Sequence, residues 1–210
     1  MVDWPDLKRV AVLLYPGVGL LEVAGPLAAL GSLKNVFEPL LLAPEAGPVE
    51  TSQGPQLVAE TSYEDAPPTE WLLVPGGTGL RARVEDKPGL AWLAERVKAS
   101  ERVLAVGTGS AWLAAAGVLD GRQATTATRA LAWAKELRPA VRWQASARWV
   151  VDGPFVTAAG PAAGLDMALA ELTAATAPDV GANVARALEH DWCADARRDP
   201  FASGTWQPRT

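Results

Sequence analysis

Short apolar runs punctuate this chain at regular intervals. Residues 10–14, 71–74 and 103–106 are uninterrupted hydrophobic stretches, and residues 37–43 form a further apolar segment. Runs of this length without polar alternation predict strands buried on both faces. Each is stopped by turn chemistry: Tyr15-Pro16-Gly17, Pro44, Pro75-Gly76-Gly77 and Gly107-Thr108-Gly109-Ser110. Between them the apolar spacing changes to helical. Residues 20–33 read as a helix interrupted at Gly25-Pro26, where proline should bend it or start a new turn. Residues 88–100, 111–116, 126–137, 162–175 and 179–189 read as further helices, the first opening on Pro88 and the last two separated by Pro178. Residues 141–143, 148–151 and 155–157 look like short strands, with Asp152-Gly153 as a hairpin turn. Residues 50–70 are polar and turn-rich, and their alternation is too weak to place strands. Strands alternating with helices imply an α/β fold with a mostly parallel sheet and helices on both faces. No repeat or composition break divides the chain, so one domain over 1–210 is expected. Its core would run from about 9 to 190, with an irregular tail after it.

Composition narrows the function. The 210 residues carry a formal net charge of −5. A mildly acidic surface does not attract nucleic acid or anionic lipid, so neither is expected as a partner. There is no long apolar run and no basic-then-apolar leader, which makes the cytoplasm the expected location. The sequence holds one cysteine, Cys193, and one histidine, His190. One thiol cannot build a thiolate zinc site, and neither metal nor cofactor is expected. His190 lies at a predicted helix end, where a surface or capping role is expected. Asp166, near another helix start, is expected to stabilise that terminus.

In open α/β sheets, ligands bind at the carboxyl ends of the strands. Three such ends are rich in glycine here, and glycine lets backbone N–H groups converge on a shared crevice. Tyr15-Pro16-Gly17-Val18, then Glu22, then Gly25-Pro26 resembles the first strand and helix of the ThiJ/PfpI superfamily. Val74-Pro75-Gly76-Gly77 resembles its oxyanion turn. Gly107-Thr108-Gly109-Ser110 resembles its nucleophile elbow, and residues 115–126 resemble the segment after the elbow helix. Residues 158–169 resemble its late glycine-containing helix start. The joint order points to the isonitrile-hydratase branch and the similar N-terminal domains of AraC-type regulators. The resemblance implies a flavodoxin-like three-layer sandwich, a homodimer, and a pocket formed by Glu22, Gly76, Gly77, Gly107, Thr108 and Gly109.

The chain departs from the family at two reactive positions. Family members usually carry a cysteine where Gly107 stands, and active members of this branch often carry a histidine where Ala127 stands. An elbow residue is commonly held at positive φ, which costs a non-glycine residue about 1–3 kcal/mol. Glycine at 107 relieves that strain while removing the nucleophile. A non-catalytic binding or sensor protein for a small polar or anionic metabolite is therefore expected. The alternatives are a hydro-lyase acting on an isonitrile-like electrophile, with Glu22 as acid–base in place of a thiol, and a structural or interaction protein.

Overall fold

The computed structural model describes residues 6–202. Seven strands form one sheet. In chain order they are β1 (Lys8–Leu13), β2 (Phe37–Ala43), β5 (Thr61–Ser62), β6 (Trp71–Val74), β7 (Arg102–Val106), β10 (Trp149–Asp152) and β11 (Phe155–Ala158). Their order across the sheet is β10-β11-β7-β6-β1-β2-β5. All neighbours are parallel except the β10–β11 hairpin. Two small pairs lie outside it: β3 (Gly47–Glu50) with β4 (Gln56–Ala59), and β8 (Gln123–Ala124) with β9 (Arg142–Trp143).

Every residue of β6 and β11, and all of β7 after Arg102, is buried. Successive side chains of a strand point to opposite faces, so both faces of this sheet are covered. The helices fall into two packed groups. The first contains α1 (Leu20–Leu30), α6 (Pro161–Ala175) and α7 (Val180–Ala187). The second gathers α2 (Leu80–Arg83), α3 (Lys87–Lys98) and α5 (Leu131–Leu137) around α4 (Gly109–Ala115). This is the α/β architecture the apolar pattern implied.

Three local details differ from the sequence pattern. Helix α1 runs through Pro26 without a break. Proline removes one main-chain bond there, and α1 retains its place by packing along α6, with Gly25 against Leu165 and Pro161. Residues 47–59 form a hairpin whose tip reaches the end of β1, where Val18 bridges Thr51. Its strands alternate buried and exposed only weakly, which hid them. The helix expected from residue 126 instead opens with a short 3-10 turn at Thr128–Ala130. Thr126 is left buried in the loop before it. Residues 196–197 and 200–202 are turns, and residues 203–210 lie outside the described residues.

The sheet order reverses direction at β1: β2 lies on one side and β6 on the other. The crevice above that switch point is the expected ligand position in such sheets. The ends of β1, β6 and β7 all open onto it.

Candidate functional site

Helix α1 carries Glu22 in its first turn, above the ends of β6 and β7. The Gly76 N–H donates to Glu22 Oε2. The Gly77 N–H donates to Thr108 Oγ1 at 3.2 Å. A Cβ placed on Gly107 would lie 3.1 Å from both Glu22 carboxylate oxygens. Glu22, Gly76, Gly77, Gly107 and Thr108, separated by up to 86 positions in sequence, therefore meet in one crevice. Gly109 serves a different purpose. A Cβ there would come within 2.0 Å of the Val74 carbonyl oxygen, so glycine lets α4 begin directly against β6.

Gly107 occupies the left-handed region, with φ of +55°. Its backbone is held from three sides. The Gly107 N–H donates to Ala158 O at 2.9 Å, and its carbonyl accepts from Ser110 Oγ at 2.9 Å and Thr126 Oγ1 at 3.1 Å. The turn keeps the geometry of an elbow but presents no side chain. We expect Gly107→Ala to cost about 1–2 kcal/mol, because its β-carbon incurs the left-handed penalty and presses on the Glu22 carboxylate. Chemical denaturation measures this, and an unchanged stability would contradict the assigned backbone strain.

Burial dominates the electrostatics. Loss of hydration pushes the Glu22 carboxyl up to about 7, and the Gly76 N–H only partly offsets this. Tyr15, beneath it, is also pushed well above its ordinary value, first by burial and then by the nearby Glu22 charge. Its hydroxyl donates to Pro75 O at 2.9 Å, and its ring meets Trp112 edge-on. The crevice floor is thus packed and hydrogen-bonded, while the Glu22 carboxyl holds its proton near neutrality.

Ala127 stands apart from these groups. It lines a neighbouring cavity with Thr128, Ala159, Gly160 and Pro161. The Gln53 side chain was not legible as a site element. It accepts from the Leu20 N–H at 2.8 Å and caps the helix that carries Glu22. Nothing in the sequence links positions 33 residues apart across a hairpin that alternation failed to reveal.

Asp166 and His190 depart from expectation. Asp166 is fully buried and accepts from Arg148 Nε at 2.6 Å. His190 Nε2 lies 2.7 Å from its other oxygen. Glu189, at φ +51°, turns the chain back after α7, which brings His190 inward. A buried carboxylate needs such partners, so the pair supports the fold rather than capping helix ends. Cys193 contacts Arg198 O, at 3.8 Å, within the C-terminal segment.

The DJ-1/PfpI family matches residues 8–174. The chain belongs to the DJ-1/PfpI family. The isonitrile hydratase of Pseudomonas putida is 34% identical over 199 residues, covering 94% of this chain and 82% of that enzyme. A ThiJ/PfpI family protein from Pseudomonas syringae superposes with a TM-score of 0.83 at 28% identity, covering 97% of this chain and 81% of that one. The transcriptional regulator CdhR of Pseudomonas aeruginosa is 29% identical, and the match spans 82% of this chain but only 52% of the regulator. These similarities are those of a DJ-1/PfpI domain of the isonitrile-hydratase-like and regulator-like kind. No helix among the described residues is long and apolar enough to cross a membrane.

Proposed function

We propose that this DJ-1/PfpI protein is a non-catalytic binding or sensor protein. It holds a small polar metabolite in the crevice of Glu22, Gly76, Gly77, Gly107 and Thr108. The observation that carries this reading is the elbow itself. Gly107 retains the left-handed turn but offers no nucleophile, and Glu22 is the group facing it. The one histidine is engaged by Asp166, and the one cysteine contacts the C-terminal segment. A serine- or cysteine-type relay needs a nucleophile, a base and an orienting group in contact. What remains is a buried carboxyl beside the Gly107 turn, able to give or take one proton near neutral pH, which suits recognition of an uncharged polar group. Expected accompaniments are a homodimer and a cytoplasmic location.

A thermal-shift screen of small polar metabolites tests the reading. We expect at least one ligand to raise the Tm, and its effect to fall by tenfold or more in apparent affinity in Glu22→Gln, as loss of a hydrogen bond to a charged or proton-sharing group predicts (about 1.5–3 kcal/mol). A folded protein that no such ligand stabilises would overturn the proposal.

A second reading is favoured by one observation. A carboxyl with a pKa of about 7 is matched to general acid–base work, and a relative of this chain is an isonitrile hydratase. Hydration of a small electrophile would then use Glu22 to deprotonate water and return the proton to carbon. Turnover of an isonitrile that disappears in Glu22→Gln, with folding intact, would establish it. Turnover indifferent to that substitution would remove it.

A further inference from the structure

The tip of the 47–59 hairpin reaches the crevice from outside the main sheet. Residues 51–55 join β3 to β4, and β4 packs on β2. The Gly17 N–H donates to Glu50 O at 2.8 Å, and the Ser52 N–H donates to Val18 O at 2.8 Å. Ser52 Oγ donates to Gly17 O at 2.5 Å and accepts from the Thr78 N–H at 3.1 Å. One hydroxyl therefore ties the loop that leads to Glu22 to the turn that contains Gly77. Beside it, the Gln53 amide oxygen accepts the Leu20 N–H at 2.8 Å.

The use of Gln53 follows from the geometry of Glu22. Leu20 opens α1, and its N–H has no acceptor within the helix. First-turn N–H groups are commonly satisfied by a polar side chain at the N-cap. Here the N-cap is Gly19, which has none. Its φ of −74° is open to any residue, so conformation does not call for glycine. Room does. A Cβ at position 19 would lie 3.1–3.3 Å from Cγ, Cδ and Oε1 of Glu22. Glu22 lies back against its own helix start while it accepts the Gly76 N–H, and a local cap would press on it. Gln53 supplies, from the hairpin, an acceptor that the N-cap cannot carry without displacing Glu22.

We propose that Ser52 and Gln53 are positioning residues of the crevice: from the hairpin tip they fix the start of α1 and the Gly77 turn, and so fix where the Glu22 carboxyl stands. The proposal rests on the binding function above and deepens it, by assigning control of that site to a hairpin outside the main sheet. A two-stranded hairpin is marginal alone. Val49 and Ala59 anchor this one in the core, whereas residues 53–55 are exposed, so the tip can yield without unfolding the sheet. Burial and the Gly76 N–H govern the Glu22 proton, and Tyr15 is the ionisable neighbour beneath it. Loosening the start of α1 admits water to the carboxyl and frees a positive helix end. Both changes favour the ionised form.

A ¹³C titration of the ligand-free full chain tests this. The Glu22 carboxyl resonance is identified by its loss in Glu22→Gln, and its midpoint in the parent is expected at about 7. Gln53→Ala, an exposed change, and Ser52→Ala should each lower that midpoint by roughly half a pH unit or more. Gln53→Glu should keep it at or above the parent value, since a carboxylate accepts the same N–H and adds a like charge. Ser52→Thr retains the hydroxyl and should also keep it. Urea denaturation of each variant reads stability separately. Alanine variants that lose stability but titrate as the parent does would overturn the proposal, because a merely structural hairpin behaves that way. A midpoint lowered equally by Gln53→Ala and Gln53→Glu would overturn it too. A metabolite screen without a hit would remove the binding function, while the midpoints, read without ligand, would still decide whether Ser52 and Gln53 position Glu22.

Discussion

Glu22→Gln will make the protein more stable above neutral pH while leaving it almost unchanged near pH 4. The folded state holds the Glu22 proton up to about pH 7, whereas an unfolded glutamate releases it near 4.5. Between those values the unfolded chain binds fewer protons than the folded one, so stability falls as pH rises. The interval from 4.5 to 7 corresponds to about 3 kcal/mol, at 1.36 kcal/mol per pH unit. Below the interval both states are protonated and the cost is absent. Above it both are ionised and the full cost remains. Glutamine has no such cost, and its amide oxygen can still accept the Gly76 N–H. The difference between the two proteins should open across pH 4.5–7 and then stay level. For a chain of this size it should reach about 10 °C in Tm. Parallel melting curves from about pH 4 to 9 measure it. Coincident curves for parent and variant would mean that Glu22 ionises normally.

Arg148→Ala is expected to cost about 3–5 kcal/mol, enough to unfold a marginal domain, because it leaves Asp166 buried with one of its carboxylate oxygens unpaired. Asp166 is wholly inaccessible, and Arg148 is nearly so. His190 would remain on Oδ1, and Asp199 would lose its guanidinium contact at the same time. The double change Arg148→Met with Asp166→Leu should recover only part of the loss, since it removes the uncompensated Asp166 charge but leaves His190 and Asp199 without these partners. Urea denaturation of the two variants decides it. An Arg148→Ala protein within about 1 kcal/mol of the parent would show that the buried carboxylate finds another partner.

The parts of the fold set by local pattern were readable in the chain. Residues 10–14, 71–74 and 103–106 are apolar at every position because their strands are covered on both faces, and the structure buries them accordingly. Gly76, Gly77 and Gly107 could be picked out because backbone crowding or positive φ leaves few alternatives to glycine. A Cβ on Gly76 would lie 2.7 Å from the Thr108 backbone nitrogen. Glu22 stood out as an acid among apolar neighbours. The hairpin at 47–59 did not show, since its exposed face lacks a clean alternation. Pro26 misled, because local propensity marks a break that packing against α6 overrides.

The sequence by itself determined the order of the buried strands and the longer helices, the glycine turns at the strand ends, and the absence of a side chain at position 107. Those are consequences of short-range sterics and of which residues avoid water. Tertiary structure alone decided that Glu22 faces Gly107 and holds its proton to about pH 7. It alone joined His190, Asp166, Arg148 and Asp199, and set Arg129 beside the start of α6. Desolvation and Coulomb interactions depend on separation in space, and the chain between these residues places no limit on it that a sequence displays.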